Sequence, residues 1–168
     1  MVVVLGCLSA LGAAASASST SRFDRHGILF TYPSTWFVTT RPLSNGVNPA
    51  YRFTVSTTPV RRTLRDSGPC LPGVAAQLPK NAVLAYLREA LGADRARSLP
   101  RMPPRPRHLR LPTRADTSLC GFGRGGRWIP FKDAGRAFYL GVHVGRAAPM
   151  ERVRRLRELL DWLRIEPG

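Results

Sequence analysis

Apolar and polar residues alternate with period two over Tyr51-Arg52-Phe53-Thr54-Val55-Ser56, the pattern of a strand buried on one face. Gly27-Ile28-Leu29-Phe30-Thr31-Tyr32 is a β-rich run that Pro33 ends, because proline has no N–H to give a ladder. Trp36 to Thr40 is aromatic and β-branched and predicts a second strand, with Tyr32 to Trp36 as the bend and Asn45-Gly46 as a turn. Trp128 to Phe131, Asp133-Ala134-Gly135 and Ala137 to Val144 predict a hairpin. Its second strand puts Phe138, Leu140, Val142 and Val144 on one face and Tyr139 and His143 on the other. The period then changes. From Pro149 to Arg164, Val153, Leu156, Leu159, Leu160 and Leu163 form a helical stripe, with Arg154, Arg157, Glu158 and Asp161 opposite. Pro149 suits the first turn, and Glu151–Arg155, Arg154–Glu158 and Arg157–Asp161 have the spacing of helical ion pairs.

Other stretches are less determined. Ala82 to Leu91 is helical by propensity and strand-like by its buried run, and periodicity alone does not choose. Arg22 to His26 reads as a polar lead-in, and Thr57 to Gly73 as a loop. Gly92 to Arg107 reads as a basic, proline-rich surface crossing, followed by a short strand over Arg107 to Leu111. The chain is 168 residues long and has no internal repeat, which fits one domain. With 43% hydrophobic and 21% charged residues, it is not disordered in composition.

Residues 1–21 carry no charged side chain. Val2 to Leu11 is apolar, and Ala15-Ser16-Ala17 is an A-x-A site, so the segment predicts a secretory signal and 22–168 the folded domain. The apolar run is too short to span a membrane. It also lacks a basic start. Val4-Leu5-Gly6-Cys7 has the form of a lipobox, which makes Cys7 a lipidation candidate; the plainer reading is an apolar signal residue. Cys70 and Cys120 then remain as an even pair in an oxidising compartment. A bridge between them would close a loop of about 50 residues and stabilise the fold by roughly 4 kcal/mol; two unrelated buried thiols are the alternative.

The charge changes the picture further. The net value is +16, almost all of it arginine. A GC-rich genome would account for arginine over lysine, but not for the excess of base over acid. The excess suits an anionic partner, or simply a solvated basic surface. Arg105, Arg107, Arg110, Arg124 and Arg127 are the anion-binding candidates. Gly121 to Gly126 matches G-x-G-x-x-G, but a strand-like segment follows where a dinucleotide site needs a helix, so it reads as a loop. Pro103-Pro104-Arg105-Pro106 has P-x-x-P spacing and reads as a stiff linker or a polyproline ligand. His26, His108 and His143 lack metal-ligand spacing, and no nucleophile or phosphate-loop motif occurs. No catalytic residue, metal or cofactor is expected.

Several short patches resemble a group of uncharacterised exported actinobacterial proteins related to the PsbP-like fold. Gly27 to Tyr32 with Pro33 and Trp36 is similar to that group's opening strand and Y-P-x-x-W bend. Pro103 to Pro106 with Leu109 and Leu111 resembles its P-R-P-x-x-F-x-L stretch, with Leu109 where phenylalanine is usual. Phe131 to Phe138 is similar to its F-x-D-x-G-R-x-F hairpin, and Leu159 to Ile165 to its closing helix end, with Trp162 in place of serine. The resemblance implies an α+β fold, a mostly antiparallel sheet with a C-terminal helix packed on it, as in a PsbP-like αβα sandwich. It makes Ala82 to Glu89 a strand and supplies no catalytic residue. The expectation is a non-enzymatic accessory or binding domain, secreted or tethered to the outer face of the cytoplasmic membrane, with an envelope protein or anionic surface or polymer as partner. The competing expectations are a basic nucleic-acid or polyanion binder and a hydrolase with an unadvertised site.

Overall fold

The computed structural model describes residues 19–44, 49–62, 71–111 and 126–168. The elements are β1 (Thr20–Arg25), β2 (Ile28–Pro33), β3 (Phe37–Thr39), β4 (Ala50–Ser56), α1 (Pro72–Gln77), β5 (Val83–Glu89), α2 (Gly92–Ser98), β6 (Gly126–Asp133), β7 (Arg136–Val144), α3 (Met150–Asp161) and β8 (Arg164–Ile165). A 3-10 turn, Leu99–Arg101, follows α2.

The fold is α+β, with two antiparallel sheets and a C-terminal helix. The larger sheet has the order β3-β4-β5-β7-β6 and the smaller β1-β2-β8. Two hairpins are closed by turns of the same kind. His26 and Gly27 both have positive φ, as do Ala134 and Gly135. Two-residue turns with both residues left-handed match the right-handed twist of the strands they join, and glycine takes the second position without strain.

One face of the larger sheet presents Phe53, Val55, Val83, Ala85, Leu87, Phe138, Leu140 and Val142 to the main core. Val153, Leu156, Leu159 and Leu160 of α3 pack there, together with Phe23, Ile28 and Phe30 of the smaller sheet. The opposite face presents Leu84 and Tyr86, which Leu43, Leu71, Val74 and Leu78 cover. Tyr86 pairs across the ladder with Gly141, where any Cβ would overlap the tyrosine ring.

The strand reading of 82–89 holds, because every residue of β5 is buried. Several expectations need correction. Arg22 to His26 is not a lead-in: β1 begins at Thr20, and Thr20 and Ser21 pair with Pro33 and Tyr32. Arg107 to Leu111 forms no strand. The 92–107 crossing contains α2. Pro149 precedes α3 as its N-cap rather than occupying its first turn. The helix ends at Asp161 rather than Arg164, and Arg164–Ile165 turns back as a strand against β2. The P-x-x-P segment is not a linker: Pro104 bridges Lys132 beside β6, with backbone hydrogen bonds on both sides of it. The Gly121 to Gly125 part of the glycine motif, Cys7, Cys70 and Cys120 lie outside the described residues.

Two arginines tie these layers together, Arg136 buried and Arg105 partly so. Arg136, the residue after the second hairpin turn, donates to both carboxylate oxygens of Glu89 at 2.9 and 2.6 Å. It also donates to the carbonyls of His26 and Glu166, so one side chain holds both hairpins and the C-terminal segment. A register shift between Tyr51 and Phe53 makes Arg52 an extra residue in β4, and its Nε reaches Glu89 at 2.6 Å. Burial acts to raise the Glu89 pKa. Hydrogen bonds from Arg136 and Arg52, with their charges, outweigh it and hold the carboxyl below its ordinary value.

Arg105 is the second tie. Its guanidinium donates to the carbonyls of Leu160, Asp161 and Leu163 and to Asp133 Oδ2. The end of a helix leaves carbonyls without partners. Here an arginine from a distant segment supplies them.

Candidate functional site: a basic face along the C-terminal helix

The apolar stripe of α3 is buried in the core, so its opposite side is what the domain offers to solvent. That side carries Glu151, Arg154, Glu158 and Trp162. Trp162 is 80% exposed, the most exposed large apolar side chain among the described residues. It lines an open cleft with Tyr32, Pro33, Arg154, Arg155 and Glu158. On the other flank of the helix, Met150, Arg154 and Arg157 line a cleft of about 470 Å³ with His108, Arg110 and Leu111. A third cleft continues from Asp161 to Arg107, Lys132 and Asp133. The three share Arg154, Glu158 or Asp161 and form one continuous face.

The loop carrying Arg107 and Arg110 is fixed to α3 by Asp161, whose Oδ1 accepts the Leu109 N–H at 2.8 Å while Oδ2 lies 3.4 Å from His108 Nδ1. The Arg157–Asp161 pair expected from spacing is therefore replaced by a loop clamp. The other two pairs form, Arg155–Glu151 at 2.7 Å and Arg154–Glu158 at 3.8 Å.

The five arginine candidates separate. Arg107 and Arg110 are exposed on this face. Arg105 is not a surface cation: four of its N–H···O contacts are made inside the protein, with little left for an outside anion. Arg127 lies in β6, paired with Val142. Arg124 lies outside the described residues. Sequence reasoning missed Trp162 as a surface group; helical spacing from the leucine stripe would have placed it outward.

The remaining histidines are scattered. His26 is in the first hairpin turn, and His143 is buried and stacked on Tyr86. Among the described residues, no three His, Cys, Asp or Glu are grouped to hold a metal, and no helix is long and apolar enough to cross a membrane. No family model, curated protein or solved structure matches the chain.

Proposed function

We propose that this chain is a non-enzymatic binding domain that acts outside the cytoplasm, at the cell envelope, by resting on an anionic membrane surface. The observation that carries the reading is Trp162, held in solvent beside Arg154 and Arg155. An amphipathic aromatic ring suits the boundary between water and lipid. Each arginine near an anionic membrane contributes about 1 kcal/mol of attraction, and Arg107 and Arg157 add to the same face. The apolar stripe of α3 is already used in the core, so contact would be through the ring and the charges rather than by burying the helix. The non-enzymatic part draws support from the carboxylates. Asp24, Glu89, Asp94, Asp133, Glu151, Glu158 and Asp161 each already face a basic side chain, an arrangement of structural ion pairs rather than convergent catalytic acids.

Binding to phosphatidylglycerol vesicles, weakening as salt is raised, is expected, with none to phosphatidylcholine vesicles. Equal binding to both, or binding to neither, would overturn the reading; salt-dependent binding to DNA instead would favour the nucleic-acid alternative.

The export signal, the Cys70–Cys120 bridge and the PsbP-like αβα arrangement belong to the same proposal. Intact mass of the chain isolated from its host is expected to lack residues through Ala17, or to carry lipid on Cys7, and to gain about two hydrogens on reduction. A full-length, reduced chain would contradict both export and the bridge.

A further inference from the structure

The edge of the larger sheet holds a second cleft, distinct from the face along α3. It encloses about 680 Å³, within the range of about 300–1,000 Å³ typical of small-molecule sites. Leu43, Thr54 and Ser56 are buried at its floor, and Val38, Val60 and the half-exposed Phe37 add apolar wall. Arg41, Arg61 and Arg62 are exposed around it. The pairing of β3 with β4 brings these arginines together, since Arg41 follows one strand and Arg61 and Arg62 the other. Among the described residues its lining contains no carboxylate, whereas Asp or Glu lines each of the three clefts along α3. The Thr54 Oγ1 is buried and has no hydrogen-bond partner among the described residues. A buried hydroxyl without a partner is costly, and most such groups in folded proteins are paired.

We infer that this cleft binds a small amphipathic anion, a single carboxylate or phosphate head carried on an acyl or aromatic body. The Arg41 and Arg61 guanidinium groups match the head, and the apolar wall and floor match the body. The Thr54 hydroxyl supplies an unused donor and acceptor at the floor. This inference does not depend on the membrane reading, because none of its residues lines the α3 face.

The test is calorimetric titration of the chain as isolated from its host with dodecanoate and with dodecyl phosphate, each below its micelle concentration. Saturable binding of at least one is expected, the preferred head distinguishing a carboxylate from a phosphate ligand. The double variant Arg41→Ser/Arg61→Ser should weaken it by about tenfold or more, as loss of charge-assisted hydrogen bonds requires. Thr54→Val should weaken it too, while leaving the melting temperature unchanged or raised. Failure of both anions to bind, equal binding of dodecyltrimethylammonium, or undiminished affinity in the double arginine variant would overturn the inference. Vesicle binding through Trp162 is expected to survive the double variant, so the two readings fail separately.

Discussion

Arg136→Met is expected to lower the unfolding free energy by about 3–5 kcal/mol, the cost of breaking a buried ion pair from one side. The methionine keeps much of the stem's volume, so the loss is electrostatic rather than a cavity. Glu89 is left buried with Arg52 alone, and the carbonyls of His26 and Glu166 lose their donor. The double variant Glu89→Met/Arg136→Met should recover part of the loss, because no uncompensated charge remains, but not the part owed to the carbonyls. Denaturant unfolding of the two single variants and the double one gives the coupling directly; additive losses would contradict a shared pair.

The same pair sets an acid limit. The Glu89 pKa is lower in the fold than in the unfolded chain, so the carboxylate's contribution is complete above its unfolded value of about 4.3. It is lost as pH falls through the lower folded value. Thermal melts of the wild type should drop through that acid range. The drop should be shallower in Arg136→Met, where the pair is already broken.

Arg105→Met is expected to cost about 2–4 kcal/mol, the order of one or two hydrogen bonds to a charged group. It frees the end of α3 and detaches the segment beside β6 from Asp133. Arg105→Lys should recover only part, since a point-like ammonium cannot span several carbonyls as a planar guanidinium does. Urea unfolding with the slope held as a check on two-state behaviour measures both. A loss under about 1 kcal/mol, below the usual worth of one charged hydrogen bond, would mean that Arg105 is a surface cation after all.

These two residues show where the sequence was legible and where it was not. The β6–β7 hairpin could be read because alternation on its second strand agrees with a turn ending in glycine. The helix α3 could be read because five apolar residues keep one period. By contrast, β1 contributes one buried side chain, Phe23, so it has no alternation to detect. The helix α2 buries none of its residues, so no apolar stripe marks it, although Ala93, Arg95, Ala96 and Arg97 favour a helix. Strand β8 is two residues long, and its pairing with β2 is purely tertiary.

Arg105 was visible as a cation within a proline-rich run, yet the carbonyls it donates to lie more than fifty residues away in sequence, in α3 and just beyond it. Charge alone cannot tell an arginine that faces water from one that caps a helix. The short motifs of the resemblance nonetheless coincide with these ties. Pro104-Arg105, Asp133, Gly135-Arg136 and the end of α3 meet at Arg105 and Arg136, which gives those patches a structural reason. The edge cleft was invisible because its arginines come from two loops that only strand pairing brings together.

Inward arginines hold the fold, and in the proposed function Trp162 and the outward arginines make the contact with an anionic surface. The most direct test is partition of Trp162→Ser and wild type onto phosphatidylglycerol vesicles. An unchanged melting temperature and about tenfold or more weaker binding are expected for the variant, from the apolar area the ring would otherwise bury. Equal binding by the two proteins, with the fold intact, would contradict it.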